Sequence, residues 1–445
     1  MTIALHSDSQ PRTADADPAD LVTRLAASGL FAEYVVYERQ GEWVFSADPI
    51  GRVELDTAEV RRTVDGRTER IRWSGRPLGA LAESLDLVRE ELGAAGRATS
   101  ACGWIGFECC AYHLDAAHHV PAGTALAHLI VPRVEITFAG DRTTITGTTP
   151  DETRAITEIL TAAPEPLPTA EPVEVRADPT GYRDRVATAV AEIHAGHYRK
   201  VILSRRVAIP FGVDLAATYR LGRAHNTPAR SFLLRLGDFE AAGFSPELVA
   251  AVDDTGVVTT EPLAGTRAFG LGHARDRQAR RELEADPKEI VEHAASVKLS
   301  LTEISSVAEP GTESITDFMS VRERGSVQHL ASTVRGRLAA GRSPWDAVEV
   351  LFPSVTAAGI PKAPGVDAIF RHDHDPRGLY SGAVLTVSPS GALEATLVLR
   401  AVYQSGGSAW LRAGAGIIGQ STPAREFEET CEKLRSVSPY VVRAR

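Results

Sequence analysis

The spacing of apolar and polar residues divides the chain into strand-like and helix-like segments. Near the N-terminus, VVYERQGEWVFSAD alternates in the manner of two strands joined by a turn at Gln40-Gly41. The segment PLGALAESLDLVREELGAAG has helical spacing and can be closed by Gly93 or Gly96. Further strands are predicted in GWIGFE, LIVPRVEITFAG and TTITGTT.

Beyond residue 180 the same pattern predicts more strands flanked by helices. Val186, Val190 and Ile193 form one stripe of a helix, which Gly196 can end. Strands are predicted in KVILSRRVAI, RSFLLRL, FSPELVAAV, GVVTTEPLAGTRAF, GLYSGAVLTVSP, ALEATLVLRAVYQ and AWLRAGAGII. Helices are predicted in DLAATYRLGRAH, DPKEIVEHAASVKLSLTEISSVA, around PWDAVEVLFP and in PAREFEETCEKLRSV. This order of elements predicts an α+β fold, with mostly antiparallel sheets surrounded by helices.

The domain organisation follows from changes in composition. Residues 1–20 lack an apolar core of the kind a secretory signal needs, and we expect a disordered tail. Residues 161–174 are rich in proline and acid and form the best linker candidate. We expect residues 21–160 to be the N-terminal part and residues 175–445 the catalytic part of one large domain.

Composition and charge narrow the class of protein. The chain has 445 residues, of which 43% are hydrophobic, enough for a sizeable core, and its net charge of −10 speaks against binding to nucleic acid or to an anionic membrane. No apolar run is long enough to span a bilayer. The four cysteines show neither a disulfide framework nor zinc spacing, which predicts a cytoplasmic protein. Nothing in the sequence requires more than a monomer.

Two pairs of glutamates are candidate metal ligands. Glu289 and Glu292 lie three residues apart on one predicted helix, as do Glu426 and Glu429 on another, so each pair shares a helix face. If the faces met, the four carboxylates would suit Mg²⁺. An alternative is that Glu289 belongs to a capping box begun by Asp286 and that the second pair is solvated. The spacing alone favours this surface interpretation.

A lysine and a glutamate are candidates for acid–base chemistry. Lys200 begins the strand KVILSRRVAI, and Glu247 lies in FSPELV after Pro246. If both were buried on opposite sides of a substrate, the lysine could take a proton from water and the glutamate could donate one. A lysine at the start of a strand is more often simply a solvated end.

Glycine-rich strands and three polar side chains suggest a binding site for carboxylates. PLAGTR at 262–267 and AGAGII at 413–418 would let a ligand approach backbone N–H groups, although a bulge or sheet corner explains them equally well. Arg400 in an apolar strand needs an anionic partner, either a substrate carboxylate or a structural glutamate. Tyr380 is a further candidate, and His329 is equally compatible with the core and with the site.

Taken together, these motifs resemble those of the chorismate-binding enzymes, which include anthranilate, aminodeoxychorismate, isochorismate and salicylate synthases. The motifs occur in the order PEL, PLAGTR, KEIVEH, SVQHL, PSVTAAGIPK, RGLYSGAV, LRAGAGI and EFEETCEK. The N-terminal segments YVVYERQGEWVFSAD, WSGRPLGAL and GWIGFE are similar to the mycobacterial type of salicylate synthase, which serves siderophore pathways. The resemblance thus covers nearly the whole chain.

The resemblance implies a magnesium site and a substrate site. Glu292 and Glu429 would ligate Mg²⁺, Glu289 and Glu426 would support the ion and its waters, and the ion would hold the ring carboxylate of chorismate. The other implied substrate-binding residues are Gly265 and Thr266 at the same end, Tyr380, Arg400 and the backbone at Gly414 at the enolpyruvyl carboxylate, and Lys433 and His329 lining the site.

The resemblance also implies a reaction. Lys200 would activate water to attack C2 of the ring, and Glu247 would protonate the departing C4 hydroxyl to give isochorismate. Loss of pyruvate by a pericyclic hydrogen shift would then give salicylate. The alternative functions are release of isochorismate and, less in keeping with the sequence, an ammonia-using synthase.

Two positions discriminate within the family. Lys200 stands where anthranilate synthases tend to have glutamine, which argues against ammonia as the nucleophile. Ala264 stands where aminodeoxychorismate synthases have lysine in a PIKGT motif. We expect neither an attached glutaminase domain nor an obligatory glutaminase subunit.

Overall fold

The structure is a computed structural model that describes residues 6–11, 17–97, 99–324 and 327–445. The strands are β1 His6–Pro11, β2 Tyr34–Arg39, β3 Glu42–Asp56, β4 Glu59–Val64, β5 Arg67–Arg72, β6 Ala101–Ile105, β7 Ala125–Ala139, β8 Arg142–Thr148, β9 Lys200–Ile209, β10 Arg230–Leu236, β11 Phe239–Ser245, β12 Leu248–Val252, β13 Val257–Thr260, β14 Leu263–Ala268, β15 Ser314–Arg324, β16 Val327–Arg337, β17 Gly359–Ile360, β18 Ala383–Val387, β19 Leu393–Leu397, β20 Ala401–Ser405 and β21 Ser408–Ile417. The helices are α1 Pro18–Ala27, α2 Pro77–Ala94, α3 Pro150–Thr161, α4 Tyr182–His194, α5 Leu215–Ala224, α6 His273–Ala285, α7 Pro287–Ser305, α8 Pro344–Leu351, α9 Lys362–His372 and α10 Pro423–Leu434. Short 3-10 helices occupy Phe107–Tyr112, Ala117–His119 and Ser438–Tyr440.

The strands form one branched antiparallel sheet with two arms that meet at β3. The first arm runs from β3 through β2, β10, β11, β20, β21 and β9 to β17. The second arm runs from β3 through β7, β6, β18, β19, β12 and β13 to β16, which also pairs with β14 and β15. The predicted α+β fold with mostly antiparallel sheet is therefore confirmed.

A shared apolar core holds the two arms together. One contiguous cluster of buried side chains contains Leu203 of β9 in the first arm and Leu385 of β18 in the second arm. Burial of this kind is the main favourable contribution to folding. The same cluster includes Phe45 and Leu129 from residues 21–160, so the N-terminal and C-terminal parts share one core rather than forming separate domains.

The first turn of α7 is set by its own sequence. Asp286 caps the helix by accepting hydrogen bonds from the N–H groups of Lys288 and Glu289, and Pro287 occupies the first helical position. The predicted cap at Asp286 is confirmed. Glu289 does not complete the predicted capping box, because its carboxylate pairs with Arg267 instead.

The predicted tail and linker both differ from expectation. Within residues 1–20, β1 pairs with β8, and α1 begins at Pro18 behind an Asp17 cap; residues 1–5 and 12–16 lie outside the described residues. The helix is ordered because Leu21, Val22 and Leu25 are buried. The linker at 161–174 has no strand, as expected, but its backbone bonds to the C-terminal segment and Val173 is buried, so it is not a free spacer.

Some elements lay outside the predicted pattern. Helix α6 carries only one buried residue, Leu283, so it has almost no apolar stripe to detect. Helix α9 contains Pro364 and Gly365 in its first turn, residues that are typical of a turn. The predicted strand ALEATLVLRAVYQ is two strands, β19 and β20, because the backbone bends at Arg400, where φ is +52°. Such a φ is strained for a non-glycine residue.

Candidate active site

Lys200 is a buried lysine rather than a solvated strand end. It begins β9 with a residue exposure of 6%, and its ammonium contacts the carboxylate of Glu292 on α7. On the neighbouring strand β21, a Cβ placed at Gly416 would lie 3.1 Å from Lys200 Cε. A larger residue at 416 would thus crowd the lysine. The side chain is therefore held in a narrow space between β21 and α7.

Glu247 is a buried carboxyl group with a strongly perturbed pKa. It lies just before β12, is 2% exposed, and accepts hydrogen bonds from Ser354 Oγ (2.5 Å) and Thr356 Oγ1 (2.7 Å). Burial raises the pKa of Glu247 to about 8, although the two hydroxyls and the charge of Lys200 lower it. Glu247 therefore carries a proton at neutral pH and can donate it. Since the charge of Lys200 acts on Glu247, the two candidates lie in electrostatic range.

Ser354 and Thr356 are site residues that the sequence did not assign. They belong to the PSVTAAGIPK motif, where two hydroxyl residues flank Val355, but that motif says nothing about their partner. In the structure both hydroxyls converge on one carboxyl group 107 and 109 residues away. They fix the position of Glu247.

The four glutamates lie around Lys200 without forming one tight group. Glu292 contacts Lys200, and the charge of Lys200 also acts on Glu429. Glu289 pairs with Arg267, at 3.0 Å. Among the described residues, only one group of three His, Cys, Asp or Glu side chains has donor atoms that all lie within 4.8 Å of one another. That group does not include these glutamates. The two helices thus flank one lysine. Glu289, Glu292 and Glu429 are paired with basic side chains, whereas Glu426 is bonded to Ser421.

The second glutamate pair has opposite pKa shifts within one helix. Burial raises the pKa of Glu426 above its usual value, and the negative charge of Glu429 raises it further. A hydrogen bond from Ser421 opposes this shift without reversing it. For Glu429 burial also acts upwards, but the ion pair with Lys433 at 2.9 Å brings the pKa below its usual value. The two carboxylates repel each other, as expected for acids gathered at one place.

Thr266, His329 and Arg400 form a hydrogen-bonded row. Arg400 Nη2 donates to His329 Nε2 at 3.1 Å, and Thr266 Oγ1 lies 3.1 Å from His329 Nδ1. A guanidinium has only donors, so Nε2 of His329 must accept and its proton lies on Nδ1. Gly265 adopts a φ of +71°, and a Cβ there would lie 3.0 Å from the carboxylate of Glu289. The row therefore lies against the first turn of α7.

Tyr380, Gly414 and Lys433 meet on the other side. A Cβ at Gly414 would lie 2.9 Å from the Tyr380 hydroxyl and 2.6 Å from the carbonyl oxygen of Leu203, so only glycine fits. Lys433 Nζ donates to the carbonyl of Gly414 at 2.9 Å. Burial and the positive charge of Arg400 lower the pKa of Lys433. The negative charge of Glu429 outweighs both, so the pKa of Lys433 lies above its usual value. Two cations thus face this region.

A buried ion cluster supports the segment that carries Tyr380. The Asp373 side chain, 3% exposed, pairs with Arg185, Arg377 and Arg412 at 2.9 to 3.2 Å. The carboxylate of Glu108 accepts hydrogen bonds from the backbone N–H groups of Arg377 and Gly378. The motifs assigned no role to these residues, although RHDHDPRG is an unusually charged run between apolar segments.

The two candidates for acid–base chemistry, Lys200 and Glu247, come together from different parts of the sheet. The chain belongs to the family of chorismate binding enzymes, whose family model matches residues 33–439. It is 53% identical to the salicylate synthase of Mycolicibacterium paratuberculosis strain K-10, over 98% of this chain and 96% of that protein. It is 39% identical to anthranilate synthase component 1 of Streptomyces coelicolor, over 59% of this chain and 52% of that protein.

Solved structures share the fold at low sequence identity. Anthranilate synthase component I from Streptococcus pneumoniae superposes with a TM-score of 0.74 at 22% identity, covering 91% of this chain and 92% of that chain. The menaquinone-specific isochorismate synthase from Escherichia coli gives a TM-score of 0.73 at 21% identity, covering 98% and 95%. Among the described residues, no helix combines the length and apolar character needed to cross a membrane.

Proposed function

We propose that this protein is a salicylate synthase, which converts chorismate through isochorismate to salicylate and pyruvate. The observation that carries the proposal is the 53% identity to the mycobacterial salicylate synthase over 98% of the chain. The match to anthranilate synthase component 1 of Streptomyces coelicolor covers only 59% of this chain. Lys200 and Ala264 further argue against the ammonia-using members of the family, as set out above.

We propose Mg²⁺ as the cofactor, bound by Glu292 and Glu429 with support from Glu289 and Glu426. The donor set fits, because Mg²⁺ prefers hard carboxylate oxygens and the repulsion between Glu426 and Glu429 is of the kind that a cation relieves. When bound, the ion would hold the ring carboxylate of chorismate and offset the negative charge of the glutamates.

In the proposed first step Lys200 is the general base and Glu247 the general acid. Lys200 takes a proton from water as the water oxygen bonds to C2, the two ring double bonds shift, and the C4–O bond breaks. Glu247 gives its proton to the departing hydroxyl, so one water enters and one leaves. Because a base needs a free lone pair, we expect the contact between Lys200 and Glu292 to open before this step.

The proposed second step needs a bound conformation rather than another catalytic group. The hydrogen at C2 of isochorismate moves to the methylene carbon of the enolpyruvyl group as the C3–O bond breaks, which yields salicylate and pyruvate. Tyr380, Arg400 and the backbone at Gly414 would hold the enolpyruvyl carboxylate, and the cations Arg400 and Lys433 supply the positive charge it requires.

Product analysis tests the function. Purified protein is incubated with chorismate, with Mg²⁺ or with excess chelator, with and without ammonium, and the products are separated by chromatography. We expect salicylate and pyruvate in equal amounts, only with Mg²⁺. Isochorismate alone would indicate an isochorismate synthase, and anthranilate or an aminated chorismate would indicate an ammonia-using enzyme. Full activity in chelator would remove Mg²⁺ from the proposal.

A matched pair of variants tests the base. Lys200→Ala should abolish formation of isochorismate and salicylate while chorismate binding is largely retained, because only the proton acceptor is lost. Arg199→Ala, which removes an exposed basic neighbour, should turn over normally. Full turnover by Lys200→Ala would show that Lys200 is not the base.

We also propose a cytoplasmic monomer whose salicylate feeds a siderophore pathway. The four cysteines are buried free thiols, which suits a reducing compartment. The oligomeric state is measured directly by light scattering during gel filtration.

A further inference from the structure

Two histidines and an aspartate form a cluster apart from the residues of the proposed reaction. His118 and His119 lie on the 3-10 helix Ala117–His119, and Asp367 lies on α9. One potential ligand atom from each side chain lies within 4.8 Å of the other two, the only such triad in the described part of the chain. His119 Nε2 is 3.0 Å from Asp367 Oδ1, and the two imidazole rings are 4.0 Å apart.

Neighbouring side chains hold two of these groups in place. Arg371 Nε donates to the second oxygen of Asp367 at 2.8 Å, and Arg371 is itself anchored by Glu192 at 2.9 Å. The ring of His119 stacks on Phe370 with an interplanar angle of 12°. Supporting partners of this kind orient metal ligands.

We propose that His118, His119 and Asp367 form a binding site for a divalent transition-metal ion, with Zn²⁺ as the best fit. Two imidazoles and one carboxylate are ligands that zinc accepts, whereas magnesium and calcium prefer an all-oxygen set. With bonds of about 2.0 Å, two ligands of a tetrahedral zinc ion lie about 3.3 Å apart. The 3.0 Å between His119 and Asp367 needs only a small opening to reach that value.

Three protein ligands would leave one coordination position for water. The cluster is suited to this because His118 is exposed and the other two groups are half-buried. His119 also lines a cavity together with His374 and Asp375, which offer further polar groups to a hydrated ion. The ion would join the 3-10 helix to α9 and so stabilise this part of the fold, while the reaction would proceed without it.

Metal titration of matched variants tests the site. Protein freed of metal by chelation is titrated with Zn²⁺ by calorimetry in excess Mg²⁺, which occupies all-oxygen sites. We expect His118→Ala and Asp367→Asn to lose at least about tenfold in zinc affinity. Asp367→Asn keeps hydrogen-bonding capacity toward His119 and Arg371 but loses the charge. As a control, His197→Ala removes an exposed imidazole elsewhere and should bind zinc like the parent protein.

A second readout separates ligation from a folding defect. Zn²⁺ should raise the thermal unfolding midpoint of the parent protein and of His197→Ala, but not of His118→Ala, while the metal-free midpoints of all three agree. Co²⁺ should give the intense visible absorption of a tetrahedral ion in the parent protein and in His197→Ala. His118→Ala and Asp367→Asn should lack this absorption. Absence of zinc binding, or unchanged affinity in both His118→Ala and Asp367→Asn, would overturn the proposal.

Discussion

At the scale of single residues, the surroundings of a buried carboxyl group decide its chemistry. Glu247 and Asp373 are both buried, but their pKa values move in opposite directions. Burial raises the pKa of both carboxyl groups. Hydroxyl groups offset this rise only partly at Glu247, whereas the charges of arginines at Asp373 bring the pKa below its usual value. Glu247 therefore carries a proton at neutral pH, whereas Asp373 is ionised there. The sequence shows two acids and does not show this difference.

The raised pKa of Glu247 predicts a particular dependence of stability on pH. Because the folded-state value of about 8 lies above the unfolded value, the folded protein binds more protons between roughly pH 4.5 and pH 8. Each rise of one pH unit in this window then lowers the free energy of unfolding by about 1.4 kcal/mol. Glu247→Gln removes the titration, so its free energy of unfolding relative to the parent protein should increase from pH 5 to pH 8, as measured by urea denaturation.

An exposed glutamate provides the control for this experiment. Glu309→Gln changes the same charge at the surface and should follow the parent protein across the pH range. In the parent protein, kcat should fall as the pH rises above about 8, because the general acid is then deprotonated. A parallel pH dependence of stability in Glu247→Gln and the parent protein would contradict the perturbed pKa.

At the scale of helices and strands, local patterns predicted most elements but not their partners. The hairpin at Gln40-Gly41 and the long helix α7 were predicted because their periodicity is strong. The three-residue spacing of Glu289 and Glu292 also predicted a shared helix face, but not that Lys200 lies opposite. Contact with a strand 92 residues away depends on packing, which leaves no mark on local spacing.

The close approach of β21 and the Tyr380 segment predicts the effect of a single methyl group. In Gly414→Ala the added Cβ would meet the Leu203 carbonyl at 2.6 Å and the Tyr380 hydroxyl at 2.9 Å, so the tyrosine must move. We expect a loss of about a hundredfold in kcat/KM, which is typical of a misplacement near 1 Å. Overpacking should also cost about 1–3 kcal/mol of stability, measured by urea denaturation.

Gly79→Ala is the matched control, since the exposed Gly79 lies within α2 and a Cβ there meets nothing within 4 Å. This variant should keep full activity and be slightly more stable, because alanine favours a helix over glycine by about 1 kcal/mol. If Gly414→Ala retained the parent kcat/KM, the Tyr380 hydroxyl would not need its observed position over β21.

At the scale of the whole molecule, the site exists only because the two arms of the sheet close on each other. Lys200 and Gly414 come from the first arm, and Glu247, Thr266 and His329 come from the second arm or lie next to it. The order of motifs along the chain indicates the family but contains no distances. The family resemblance therefore predicts a set of site residues, and the structure adds the contacts between them.

Asp373 provides a test of this long-range organisation, because it joins α4, β9, β21 and the segment leading to Tyr380. It pairs with Arg185, Arg377 and Arg412 and accepts a hydrogen bond from Ser204. Asp373→Asn would leave buried guanidinium groups without their counter-charge, a loss that typically costs about 3–5 kcal/mol. We expect a lower urea midpoint and, in the fraction that folds, a raised KM with a smaller change in kcat.

The split between KM and kcat separates positioning from mere stability. Asp373 does not touch Lys200 or Glu247 through any bond described above, so the proton transfers should survive once substrate is bound. Asp373→Glu retains the charge and should recover part of the affinity if the cluster positions Tyr380 and Gly414. The exposed Asp375→Asn, two residues along, should match the parent protein in both stability and KM. Equal KM values for Asp373→Asn and the parent protein would mean that the cluster stabilises the fold without shaping the site.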